Sequence, residues 1–114
     1  MPIPGVVPGA ARRSQMSAVV YHAPDDALFC RDADEVQAGF EAGVYQQVAE
    51  VSTDDLDVAY ELTNTISGPW WLNEKVTKRF DGKGCRSTSV GDVICTGGYV
   101  WAVSPVGFTK LFQE

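Results

Sequence analysis

Hydrophobic and polar positions alternate over several short stretches of the chain, separated by glycine, proline and aspartate. Residues 18–22, Ala-Val-Val-Tyr-His, are β-branched or aromatic and predict a strand that ends at Ala-Pro-Asp-Asp. Residues 27–30, Ala-Leu-Phe-Cys, predict a second short strand after that turn. Asp32 or Asp34 can cap a short helix over 33–42, in which Val36 and Phe40 lie one turn apart, and Gly43 stops it. Residues 44–51 predict another strand, with Val44, Val48 and Val51 imperfectly placed for strict alternation.

A second helix follows. Ser52 or Thr53 offers its N-cap, and Asp54, Asp55 and Asp57 crowd the first turn, where the helix dipole favours negative charge. Val58, Ala59, Leu62 and Ile66 recur at helical spacing, and Ser67-Gly68-Pro69 ends the run. Residues 69–86 predict a loop. Strand patterning returns at 90–95 and 99–103 around Gly97-Gly98, two positions that can both take positive φ in a tight hairpin. After Ser104-Pro105-Val106-Gly107, a last strand covers 108–112. In the middle strand Tyr99, Trp101 and Val103 point to one face, and Val100 and Ala102 to the other. The expected fold is α+β: a mainly antiparallel sheet of four to five strands, two helices packed on one face, and a C-terminal hairpin or meander.

Patterning begins only after Met16. Residues 1–16 hold three prolines, and their two arginines follow the apolar residues instead of preceding them, so they do not read as a signal peptide. They read as a flexible tail ahead of a single domain over 17–114, or as the product of a start upstream of a natural one at Met16. The full chain of 114 residues is one domain's length, with 45% hydrophobic and 21% charged residues, as in ordinary globular proteins. No run of about 18 apolar residues occurs, so no membrane-spanning helix is expected.

The net charge of −6 is unevenly placed, since residues 25–61 hold eleven of the fifteen acids and a single base, Arg31. Such a surface opposes a phosphate backbone, whose affinity comes from Lys and Arg. It permits mimicry of DNA, although helix capping by aspartate explains several of these acids. The cations Lys75, Lys78, Arg79, Lys83 and Arg86 are bunched instead in the predicted loop. Cys30, Cys85 and Cys95 are odd in number and lack Cys-x-x-Cys spacing, which fits a reduced, cytoplasmic protein better than a disulfide scaffold. His22 is the only histidine and has no partner at zinc-ligand spacing, so neither a metal nor another cofactor is expected.

The run Val48-Ala49-x-Val51, Leu56-x-x-Ala59-Tyr60-x-Leu62-Thr63-Asn64-x-Ile66 and Pro69-Trp70-Trp71 continues with Arg86-Ser87-Thr88-Ser89-Val90-Gly91-Asp92-Val93 and Val106-Gly107-Phe108-x-x-Leu111. Over 44–112 it resembles the YodL-like domains of bacteriophages, plasmids and actinobacterial mobile elements. The segment from Arg86 to Val93 is the most specific part, and residues 1–24 have no counterpart. The resemblance implies an accessory or counter-defence role among mobile elements, and it brings no catalytic residues.

Each candidate site has two readings. Arg86, Ser87, Thr88 and Ser89, helped by Lys83, could hold an anion, or their hydroxyls could bond backbone in a turn that Gly91 and Asp92 shape. The Gly-x-x-x-x-Gly-Lys pattern of a P-loop is missing. Trp70 and Trp71 could pack in the core, or one ring could stay exposed to anchor a partner or stack on a base beside Lys78 and Arg79. His22 with one of the cysteines could form a nucleophilic dyad, but its place before a proline turn reads as a surface position. The leading expectation is a non-catalytic protein that binds a host or partner protein through Trp70, Trp71, Lys78, Arg79, Lys83, Arg86, Ser87 and Ser89. The alternative is an anion, nucleotide or single-stranded nucleic acid on the same 70–89 segment. A last strand so near the C-terminus leaves a pairable edge, which allows a homodimer. A chain starting at Met16 should melt at the temperature of the full chain in circular dichroism; loss of its cooperative transition would assign residues 1–15 to the fold.

Overall fold

The computed structural model describes residues 17–24, 32–64 and 68–113. Strand β1 (Ala18–His22) is apolar at both parities: Ala18 and Val20 pack on one side, Val19 and Tyr21 on the other. A strand buried from both sides belongs in the middle of a sheet that is covered on both faces. It pairs antiparallel with β2 (Gln46–Val51) and with β4 (Val93–Thr96). Outward from these lie β3 (Val76–Lys78) beside β2, and β5 (Tyr99–Val103) then β6 (Phe108–Gln113) beyond β4. The order β3-β2-β1-β4-β5-β6 makes one antiparallel sheet of six strands.

The α+β class stands as expected, with two differences in its architecture. A sixth strand, β3, comes from the segment that reads as a loop; its three residues are too few to show a period. The helices also lie on opposite faces, not on one. Helix α1 (Ala33–Glu41) sets Val36 and Phe40 against Tyr21, Val93 and Val100, whereas α2 (Leu56–Thr63) sets Ala59 against Ala18, Val20 and Ile94. The cause is the double-sided burial of β1, β4 and β5, which leaves each face in need of its own cover.

Local chemistry sets the element ends. Asp32 caps α1 through a capping box: its carboxylate accepts from the Glu35 amide at 2.9 Å, and Glu35 accepts from the Asp32 amide at 3.2 Å. The cap of α2 is Asp55, which accepts from the amides of Asp57 and Val58, rather than Ser52 or Thr53. Thr53 instead accepts from the Asp55 amide one step earlier and holds the approach. Between β4 and β5, Gly97 and Gly98 sit at φ +65° and +84°, giving the two-residue hairpin with Thr96 opposite Tyr99. Tyr99, Trp101 and Val103 alternate with Val100 and Ala102 as the sequence indicates. The tail, the predicted strand at 27–30 and Ile66 fall outside the described residues.

On the α2 face a single-turn 3-10 helix (Trp70–Leu72) delivers Trp70 into the core, where it is 2% exposed. Trp70, Trp71 and Phe80 form a three-ring cluster with centroids 5.3–5.7 Å apart. Ile94, fully buried on this face, should lose about 2–5 kcal/mol of unfolding free energy as Ile94→Ala. Leu72→Ala, at a position 73% exposed, should change stability by less than about 0.5 kcal/mol. Urea titration compares the two, and equal losses would contradict this placement of the core.

Candidate functional site

Strands β3 and β4 follow one another in sequence but lie on opposite sides of the β2–β1 pair. The connection, residues 79–92, therefore has to cross two strands, a path of about 14 Å at the usual strand spacing. It crosses on the α2 face and is tied down along the way. Arg86 C=O accepts from the Trp70 indole N–H at 3.0 Å, and the Thr88 amide donates to Thr63 C=O at 2.9 Å. The Asn64 side-chain amide donates to Thr88 C=O.

The segment closes on Asp92, whose side chain is completely buried. Oδ1 accepts from the Ala23 amide at 2.8 Å and from Arg86 Nη2 at 2.8 Å. Oδ2 accepts from Arg86 Nη1 at 2.6 Å and from the Ser89 amide at 2.7 Å. The guanidinium also donates to the carbonyls of Ala23 and Ser87. A buried carboxylate is tolerable only when paired and fully hydrogen-bonded, and four donors meet that condition here. The clasp links the end of β1 to the start of β4.

His22 stands at the end of β1, next to Ala23, and is 5% exposed; it is a core residue, not the surface residue its place before a proline indicates. The strand continues to His22 and turns it toward the α2 face, where a chain of hydroxyls meets it. The direction of that chain is fixed from its far end. Ala59 C=O can only accept, so Thr63 Oγ1 donates to it at 2.8 Å. Thr88 Oγ1 donates to Thr63 Oγ1 at 2.9 Å, which spends its one proton. Thr88 Oγ1 must then accept from His22 Nε2–H, at 3.0 Å. Neutral His22 therefore carries its proton on Nε2 and its lone pair on Nδ1. The Cys85 sulfur lies 3.5 Å from that Nδ1, and the Asp92 carboxylate lies 3.9 Å from Nε2.

His22, Cys85 and Arg86 line a groove of about 630 Å³ whose other walls include Ala23, Pro24, Val44, Gln46 and Val48. Cys85 is half-buried at its edge, while Cys95 is buried in the other face of the sheet. Among the described residues no group of three His, Cys, Asp or Glu side chains gathers to hold a metal ion, and no helix is long and apolar enough to cross a membrane.

The residues singled out from sequence divide into two sets. Trp70 is in the core, Arg86 is neutralised by Asp92, and Ser89 Oγ donates to Ser87 C=O at 3.2 Å, so this group holds the crossing segment. Lys78, Arg79 and Lys83 are exposed and Trp71 is half-exposed. Lys78 Nζ donates to Gly82 C=O at 2.7 Å and lies 4.7 Å from the Phe80 ring centre; Arg79 pairs with Glu50 at 3.0 Å. An anion would find Lys83 here but no uncompensated guanidinium at Arg86.

Nothing in the sequence marks Cys85, rather than Cys30 or Cys95, as the cysteine beside His22. Thr88 is legible only as one of a run of hydroxyls; that it joins Thr63 and His22 has no local signal, because those partners are 25 and 66 residues distant. Compared with family models, with curated proteins and with solved structures, the chain matches none. The resemblance to YodL-like domains thus rests on the residues quoted for it.

Removing one partner of the clasp leaves a buried charge uncompensated. Asp92→Ala and Arg86→Ala should each cost about 3–5 kcal/mol of stability. The double variant should fall short of their sum by about 1 kcal/mol or more. Denaturant melts of all four chains measure the cycle, and strict additivity would contradict a coupled pair.

Proposed function

We propose that the protein is a small binding protein that docks on a partner protein through the edge of the sheet at β3. The observation that carries this reading is Leu72, 73% exposed at the end of the 3-10 turn, next to half-exposed Trp71 and leading into the edge strand. A large apolar side chain held out by a rigid turn gives a partner an anchor at little entropic cost. Trp70 and Phe80 hold Trp71 from behind. The exposed cations Lys75, Lys78, Arg79 and Lys83 follow the anchor along the chain and outnumber the exposed acids Glu74 and Asp81 among them, so the matching surface on the partner is apolar at its centre and mainly acidic at its rim.

Protein docking is favoured over anion or nucleic-acid binding because the guanidinium that would grip a phosphate is held by Asp92. The chain's net charge of −6 works in the same direction. A cytoplasmic, phage or mobile-element setting, with a host protein as the partner, is part of the same proposal and is supported by the resemblance over 44–112. The edge strand β6 offers a second surface for self-pairing, which would make a homodimer.

A photo-crosslinker at position 72, followed by mass spectrometry of the captured protein, identifies the partner. Leu72→Asp should then weaken binding of that partner at least about tenfold, since burying the new charge is unfavourable. Val106→Asp, at an equally apolar position 93% exposed beside the opposite edge, should leave binding unchanged. Full binding by Leu72→Asp would refute docking at this face.

A further inference from the structure

The groove beside the docking face contains chemistry that docking does not use. Three observations meet there: a thiol at the groove edge, an imidazole nitrogen 3.5 Å from its sulfur, and a hydrogen-bond chain that fixes which nitrogen carries the proton. We propose that Cys85 is a nucleophile for acyl transfer, with His22 as its general base and the groove as the site for a small ester or thioester. This stands apart from the docking reading and does not depend on it.

The geometry assigns each part. The Ala59–Thr63–Thr88 chain makes Thr88 Oγ1 an acceptor, which keeps the His22 proton on Nε2 and leaves Nδ1 a lone pair directed at Cys85. The positioning residue is Thr88; it touches no substrate. As Sγ attacks the carbonyl carbon of a bound acyl donor, the S–C bond forms and the thiol proton passes to Nδ1. The resulting imidazolium keeps its Nε2–H bond to Thr88 Oγ1 and lies 3.9 Å from the Asp92 carboxylate, whose charge Arg86 already pairs. Collapse of the tetrahedral adduct breaks the bond to the leaving oxygen or sulfur, and Nδ1–H returns its proton to that atom. Water attacks the acyl-Cys85 in turn, losing a proton to Nδ1, and the carboxylic acid leaves as the proton passes back to sulfur.

The walls define the substrate class. Ala23, Pro24, Val44 and Val48 are apolar, Gln46 is a neutral hydrogen-bonding group and the charge of Arg86 is taken up by Asp92, so the groove suits an uncharged acyl chain.

Full-length protein treated with p-nitrophenyl acetate tests the proposal. One equivalent of p-nitrophenolate should appear in a burst, and peptide mapping should find the acetyl group on Cys85 ahead of Cys30 and Cys95. The wild-type burst rate should level off as pH rises, and should not keep rising with hydroxide through neutral pH as a simple thiol's does. His22→Gln should slow the burst by about 100-fold or more. Thr88→Val should slow it too, and Thr88→Ser, which keeps the hydroxyl, should restore it. Acetylation spread over all three cysteines, or a wild-type rate proportional to hydroxide, would overturn the proposal. Because the pH profile and the map are read on unaltered protein, a variant that fails to fold does not shield it.

Discussion

The buried carboxylate of Asp92 is the constraint on which the rest of the structure depends. A charge with no exposure is stable only if donors surround it, and here they come from three places. Ala23 belongs to the end of β1, Arg86 to the crossing segment, and Ser89 to the turn before β4. Satisfying one side chain therefore fixes where the central strand ends, how the connection crosses it, and where the next strand begins. Position 22 inherits its placement from this clasp, because the amide of its neighbour is one of the four donors. The thiol at position 85 inherits its own from the adjacent arginine.

The crossing itself follows from the sheet order. Placing β3 outside β2 while β4 pairs with β1 forces fourteen residues over the α2 face. Those residues help to cover a sheet face that an eight-residue helix cannot cover alone. Phe80 and Cys85 fill the face, the indole of Trp70 holds Arg86 C=O, and Thr63 and Asn64 at the end of α2 hold Thr88. Packing and polar pairing thus serve one segment, and the groove is the space left between it and β2.

Much of the fold is legible in the sequence where a period is long enough to detect. Val100 and Ala102 against Trp101 and Val103 show a strand in five residues, and Gly97-Gly98 marks its turn. Asp32 and Gly43 bracket α1 because caps are local chemistry. What escapes is long-range. Val76 to Lys78 is a strand only because β2 offers it an edge. That the helices take opposite faces depends on Val19 and Tyr21 needing cover as much as Ala18 and Val20 do. The candidate site is the least legible part: Arg86 and Ser89 are visible as a polar run, but nothing local shows that they answer to Asp92, or that His22 turns inward to meet Thr88. The exposure of Leu72 is missed for a similar reason, since an exposed apolar residue has no local signature.

The most direct test of the account is amide hydrogen exchange at Ala23 and Ser89, the two backbone donors to Asp92, measured by NMR on the unaltered chain. Both lie outside regular strands, where amides ordinarily exchange through local fraying. A clasp that organises the fold predicts that they exchange as slowly as the amides of β1 and β4, opening only with the whole sheet. Exchange at the rate of the exposed turn amides of Val106 and Gly107 would contradict it, and would leave the Asp92 contacts as a consequence of the fold instead of its support.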